Sequence, residues 1–187
     1  MLPRYPSGST RLSAQNLSPE GSTSIQQDPV LLDALFHNCG YDLDQVNAII
    51  DPILSAPAAC QLTALYLQGI VVPQSTFVVT NLNSAQAITV LPKGSSWLVG
   101  SSSSCAVTVD GAGVSRCHAA ISFSCCEGFY ITDVGSDRGT WVNRHRLNSL
   151  ERRCLRHGDL LEFGSLRVEF FISGEASQLL NCEETRC

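Results

Sequence analysis

Val114-Ser115-Arg116-Cys117-His118-Ala119, followed by Asp133-Val134-Gly135-Ser136-Asp137-Arg138-Gly139-Thr140-Trp141-Val142-Asn143, decides how this chain is read. The first stretch has the form V-S-R-x-H-A and the second D-x-G-S-x-x-G-T-x-V-N. Around them the texture is that of strands: Phe77 to Thr80, Ala87 to Leu91, Trp97 to Gly100, Ala106 to Val109, His118 to Phe123, Phe129 to Asp133, Thr140 to Val142, Leu160 to Phe163 and Leu166 to Ile172. These short runs are rich in Val, Ile, Phe, Trp and Thr. They are punctuated by Pro92-Lys93-Gly94, Asp110-Gly111, Glu127-Gly128 and His157-Gly158-Asp159. Such regular spacing predicts a mainly β chain built as an antiparallel sandwich.

A third segment, Leu155-Arg156-His157-Gly158-Asp159-Leu160-Leu161-Glu162-Phe163-Gly164, has the form L-x-x-G-D-x-x-x-F-G and precedes a closing strand. The three motifs, in this order, resemble those of the forkhead-associated (FHA) domain, and the resemblance spans Phe77 to Ile172. It implies a β-sandwich that reads phosphothreonine peptides through loops at one end, distinguishing them from phosphoserine by the threonine methyl group. It also implies recognition rather than catalysis: no enzyme activity, no cofactor and no metal.

Carried over position by position, the resemblance makes Ser115 the donor to a phosphate oxygen; a hydroxyl suits this because it donates without bringing negative charge. Arg116 beside it points either at the phosphate or into solvent. His118 matches a structural histidine whose ring braces the loops. Gly139, Thr140 and Asn143 match positions that shape the binding loop, Gly because it permits a turn that other residues resist. Asn143 either reaches peptide backbone or fastens the loop.

The departures carry as much weight. Ser101 stands where the family has its first phosphate-binding arginine, so a charge-assisted clamp, with bonds worth roughly 1.5 to 3 kcal/mol each, is missing. Arg138 replaces the asparagine that fixes bound peptide, and it folds over the phosphate, pairs with Asp137, or does neither. Asp137 occupies a position where a hydroxyl often contacts phosphate. Its charge about 7 Å from a dianion costs roughly 1 to 5 kcal/mol for an effective dielectric between 80 and 20. Phosphopeptide binding therefore rests on Ser115, Arg116, Arg138, Asn143 and the altered Ser101. The alternative is a degenerate sandwich that binds its partner without phosphate.

Composition sets the outer bounds. The chain has 187 residues, 44% of them hydrophobic and 16% charged, enough for one domain with appendages. The net charge of −5 is unevenly placed: residues 1–76 carry two Arg against six acids, whereas residues 77–172 carry nine Lys or Arg against eight. A nearly neutral sandwich has no field on the scale of a polyanion, which argues against nucleic acid as a partner. The arginines at 144, 146, 152, 153 and 156 read as a solvated loop, or as a preference for acidic residues flanking a target site. Nine cysteines, an odd number without a Cys-x-x-Cys, and no apolar leader point to a reducing cytoplasm. The most apolar stretch, Ala58 to Val72, is too short and too interrupted to span a bilayer, so no membrane is expected.

Other chemistry is weaker. No G-x-x-x-x-G-K-[ST] occurs, and Cys117 and His118 alternate faces if they lie in a strand. Cys125-Cys126 sit near a hairpin turn, where exposed thiols can oxidise or bind a soft metal; they read as ordinary small side chains.

The organisation follows. Residues 1–27, rich in Ser, Pro, Gly, Thr and Gln, read as a disordered tail. Residues 28–72 read as a helical segment. A first helix runs from Asp28-Pro29 to Gly40, and a second is opened by the Asp42-Leu43-Asp44-Gln45 capping box and ended or kinked at Pro52. A third runs from Pro57 to about Gln68. The sandwich occupies residues 77–172, folding on its own, and residues 173–187 form a tail. Expected partners are a phosphothreonine-bearing protein and, through the helices or a phosphorylated Thr10 or Thr23, a second copy of the chain.

Overall fold

The computed structural model describes residues 29–73, 75–82, 88–91 and 93–174. The tail over 1–27, with Thr10 and Thr23, lies outside the described residues, as do Asp28, Ala87, Pro92 and almost all of 173–187. Two helices, α1 (Pro29–Asn38) and α2 (Leu43–Ala59), precede twelve strands. One sheet contains β1 (Tyr66–Val72), β2 (Ser75–Thr80), β3 (Thr89–Val90), β8 (Thr140–Val142), β9 (His145–Arg146), β11 (Asp159–Phe163) and β12 (Leu166–Gly174) in the order β3-β2-β1-β12-β11-β8-β9. The other holds β4 (Ser96–Gly100), β5 (Val107–Thr108), β6 (Ala119–Ser124), β7 (Gly128–Asp133) and β10 (Arg152–Cys154) in the order β10-β7-β6-β4-β5. The expected mainly β sandwich with a helical segment before it is what the chain forms.

Two cores result. Between the sheets lie Leu67, Val78, Trp97, Val99, Ile121, Phe129, Ile131, Leu161, Phe163, Val168 and Phe170, among others. On the outer face of the larger sheet, Leu35, Val46, Ile49, Ile53 and Ala56 of the helices cover Tyr66, Ile70, Phe77, Val79 and Phe171. The β2-β1-β12 part of that sheet is therefore covered on both faces, by a helix layer on one side and the smaller sheet on the other.

The capping box at the start of α2 is present: Asp42 Oδ1 accepts from the amides of Asp44 and Gln45 at 2.9 and 3.2 Å, and Gln45 Nε2 donates to Asp42 Oδ2 at 3.1 Å. Two expectations for the helical segment change, one narrowed and one corrected. Of the two outcomes expected at Pro52, the end is excluded: α2 runs through it and through Pro57 to Ala59. The ring removes one helical bond, yet Ile49 and Ile53, on either side of it, are both pinned in the outer core.

The third helix does not exist. Residues 57–59 finish α2, and Tyr66–Val72 forms a strand in the middle of the sheet, antiparallel to β2 and parallel to β12. All seven residues of β1 are buried, so the run has no polar face to give it a period of two, and periodicity alone cannot separate such a strand from a helix. Gly69 marks the close approach: a Cβ there would lie 2.4 Å from the Phe129 ring. Between α2 and β1, the Glu169 carboxylate of β12 gathers the amides of Gln61, Leu62 and Thr63 at 2.7 to 3.2 Å. β9 and β10, inside the arginine-rich stretch read as a solvated loop, are likewise strands. Among the described residues no helix is long and apolar enough to cross a membrane.

Candidate functional site

The loops between β4 and β5, β5 and β6, and β7 and β8 meet at one end of the sandwich, and His118 holds two of them together. Its ring is buried. Nδ1 accepts from the Ser115 amide at 3.0 Å, which leaves the proton on Nε2, 3.3 Å from the Gly139 carbonyl oxygen to which it donates. The ring also meets Phe163 edge-on, 5.6 Å between centroids. Burial lowers the imidazole pKa, against the opposing pull of the Gly139 carbonyl and the Asp133 and Asp137 charges. The ring is thus a neutral strut.

Asp133, at the end of β7, is the second organiser. Its Oδ1 accepts from the amides of Gly135 and Ser136 at 2.9 and 3.0 Å. Its Oδ2 accepts from the Ser136 hydroxyl and from the Thr140 amide and hydroxyl, the last two at 2.9 and 2.7 Å. Burial alone would raise its pKa, but these donors outweigh it and hold the carboxyl below its ordinary value. Thr140 is a structural residue through this contact. Gly139, with φ of 83°, lies under the Arg146 side chain, whose Nε is 2.4 Å from where a Cβ would stand. Asp133, Ser136, Gly139, Arg146 and Leu147 line a cleft of about 250 Å³ with Asn148 and Ser149. Neither Asp133 nor Arg146 was singled out as a site residue from the sequence; the Asp that opens the D-x-G-S signature was the available signal.

Ser115 faces Asp137. Its hydroxyl donates to Asp137 Oδ2 at 3.2 Å and accepts from the Asp137 amide at 3.0 Å. Since the Ser115 amide is engaged by His118, the hydroxyl is what Ser115 has to offer a ligand, and a carboxylate already takes it. Ser101 stands on the same rim: its amide donates to the Ser115 carbonyl at 3.1 Å, and that of Ser102 to the Arg116 carbonyl at 3.1 Å. The approach needs Gly100, where a Cβ would lie 2.3 Å from the Arg116 carbonyl oxygen.

Arg116 and Arg138 are both exposed. Among the described residues three ion pairs form, His145–Glu151, Arg152–Glu127 and Arg167–Glu162, and neither arginine is in them. Arg138 does not pair with Asp137; its stem runs along Gly113, Cγ being 2.9 Å from where a Cβ would stand. Asn143 is a fastener: Nδ2 donates to Asp159 Oδ1 at 2.7 Å, and Oδ1 accepts from the Leu160 amide at 2.9 Å. With φ positive at both Asn143 and Arg144, it starts the tight turn between β8 and β9.

Residues 97–164 match the family model of the FHA domain. The chain contains an FHA domain. The match takes in all the loops described above and the Leu155–Gly164 segment. Solved structures similar to this chain include the FHA domain of an Arabidopsis thaliana hypothetical protein, 26% identical over 47% of this chain and 76% of that one, with a TM-score of 0.41. An FHA domain from Chlamydia trachomatis is 23% identical over 49% and 92%, with a TM-score of 0.39. A third FHA domain, studied for phosphothreonine-dependent interactions, is 20% identical over 55% and 90%, with a TM-score of 0.40. No curated protein matches the chain.

Proposed function

We propose that this FHA domain is a non-catalytic protein-recognition module that takes a phosphothreonine segment of a partner protein at the loop end of the sandwich. The observation that carries the reading is the rim itself. Two exposed arginines free of ion pairs stand next in sequence to the contact, Arg116 after Ser115 and Arg138 after the Asp137 that holds its hydroxyl, on loops that His118 and Asp133 hold in place. On this reading an incoming phosphate displaces the Asp137 carboxylate from Ser115, takes the hydroxyl as donor, and draws the two arginines over its oxygens. Asn143 contributes by keeping the β8–β9 turn in shape, and Ser101 supplies a small polar rim where a clamp is absent. Action in a reducing cytoplasm, in signal transduction, belongs to the same proposal.

A second reading is favoured by one observation, the Ser115–Asp137 contact. A carboxylate that already satisfies the phosphate donor makes the loops self-sufficient, and the rim then binds an unphosphorylated partner. Calorimetric titration with a phosphothreonine peptide library and its unphosphorylated twin separates the two. Binding confined to the phosphorylated set, and weakened in Ser115→Ala without loss of thermal stability, is expected. Equal affinity for both sets hands the domain to the second reading.

A further inference from the structure

The turn between β6 and β7 lies at the far ends of those strands from His118 and Asp133, and it holds Cys125 and Cys126. Both thiols are exposed, and their sulfurs are 3.8 Å apart. The turn is held by the Cys126 amide donating to Ser124 Oγ and the Glu127 amide donating to the Ser124 carbonyl, each at 3.3 Å. The adjacent carboxylate, Glu127, is taken by Arg152 at 2.5 Å, and that guanidinium lies over the Tyr130 ring at 3.9 Å.

The spacing is chemically specific. A zinc–thiolate bond is about 2.3 Å, and two such bonds at a tetrahedral angle put their sulfurs about 3.8 Å apart. A disulfide would instead need closure to about 2.05 Å between neighbours whose Cα atoms, about 3.8 Å apart, are nearer than disulfides ordinarily allow. Thiolates select soft cations over hard ones.

We infer that Cys125 and Cys126 form a bidentate site for a soft, thiophilic cation of the Zn²⁺ or Cd²⁺ kind. Binding replaces the two S–H bonds with two sulfur–metal bonds and releases two protons to solvent. Among the described residues no group of three or more His, Cys, Asp or Glu surrounds a metal position, so the other coordination positions are filled by water or by donors other than those residues.

The test is a Cd²⁺ titration of the full chain, kept reduced without a thiol reagent, read by thiolate-to-cadmium charge-transfer absorption against a competing chelator. One tight Cd²⁺ per chain is expected. Cys125→Ser and Cys126→Ser should each weaken it roughly tenfold or more, while Cys117→Ser and Cys154→Ser, exposed thiols elsewhere, leave it unchanged. Circular dichroism should show all four variants folded, since none of these side chains is buried. If either turn variant merely halves the signal at unchanged affinity, the two thiols act independently and the site does not exist. Absence of tight binding, or equal loss in Cys154→Ser, also overturns it.

Discussion

At the scale of single residues, the proposed phosphate reading turns on who holds the Ser115 hydroxyl. Asp137 does so in the free chain, which adds a competitor to the charge repulsion expected from sequence. Restoring a bidentate donor with Ser101→Arg while releasing Ser115 with Asp137→Thr should raise phosphothreonine affinity at least tenfold. Each change contributes on the order of 1 to 3 kcal/mol, and the unphosphorylated peptide should barely respond. A folded double variant that gains nothing for phosphate would show that the loops serve another ligand. His118 offers a test of the scaffold. Because its pKa is lowered on folding, the unfolded chain takes up a proton as pH falls through about 6.5 while the folded chain resists it. The stabilisation from neutral burial is therefore complete above that pH and is lost on acidification. The thermal midpoint should fall between about pH 7.5 and 5.5, and less steeply in His118→Gln; a flat profile in the parent would show that the ring is not held neutral. Asp133 acts in a lower window, its share of stability being present above about pH 3.9 and lost as pH falls through its depressed folded value. His118→Ala should cost about 1 to 3 kcal/mol in chemical denaturation, since the Ser115 amide and the Gly139 carbonyl both lose their partner. The bracing contacts of His118 and the tie of Thr140 to Asp133 lie at positions that the family resemblance marks. The Ser115–Asp137 contact was not marked, because it depends on how two loops separated by two strands close on each other.

At the scale of elements, the strands flanked by turn residues were legible, and β1 was not. Its side chains are hidden on both faces, so the polar alternation that betrays β6 or β7 is absent from Tyr66–Val72. α2 misleads for a related reason. Proline is a local signal of breakage, but the helix is held by burial at Val46, Ile49, Ile53 and Ala56, which local rules do not weigh. The error has an experimental consequence. A sandwich cut at residue 77 lacks the strand that joins β2 to β12, leaving the β2–β3 pair detached from the rest of the sheet and the Phe129 ring without its cover. It should be insoluble or molten, judged by lost near-ultraviolet dichroism and dye binding. A chain beginning at residue 61 keeps β1 together with the amides that Glu169 gathers, and it should show a cooperative transition unless the helix layer is indispensable to the outer core. If the chain cut at residue 77 folds cooperatively, β1 is an addition to the sandwich rather than part of its frame.

At the scale of the whole molecule, charge is divided between layers. No Lys or Arg occurs between Arg11 and Lys93, while Asp33, Asp42, Asp44 and Asp51 belong to the helices and the junction between them; the arginines sit on the sandwich. This division was visible in the sequence, whereas the stacking of the helices on the sheet was not, because it required knowing that β1 and β12 are neighbours. Those two strands pair in parallel, Tyr66 beside Glu169 and Val71 beside Gly174, about a hundred residues apart along the chain. A growing polypeptide would therefore hold its helices and first hairpin in waiting, with their apolar surfaces uncovered, until the strand that completes the larger sheet has left the ribosome. Loop closure of that span is slow relative to local pairing, and the exposed edges of β1 and β11 are the surfaces by which two unfinished chains would mispair. Folding of the larger sheet therefore waits on β12, and shielding β1 during synthesis would cover the edge left open until that strand arrives.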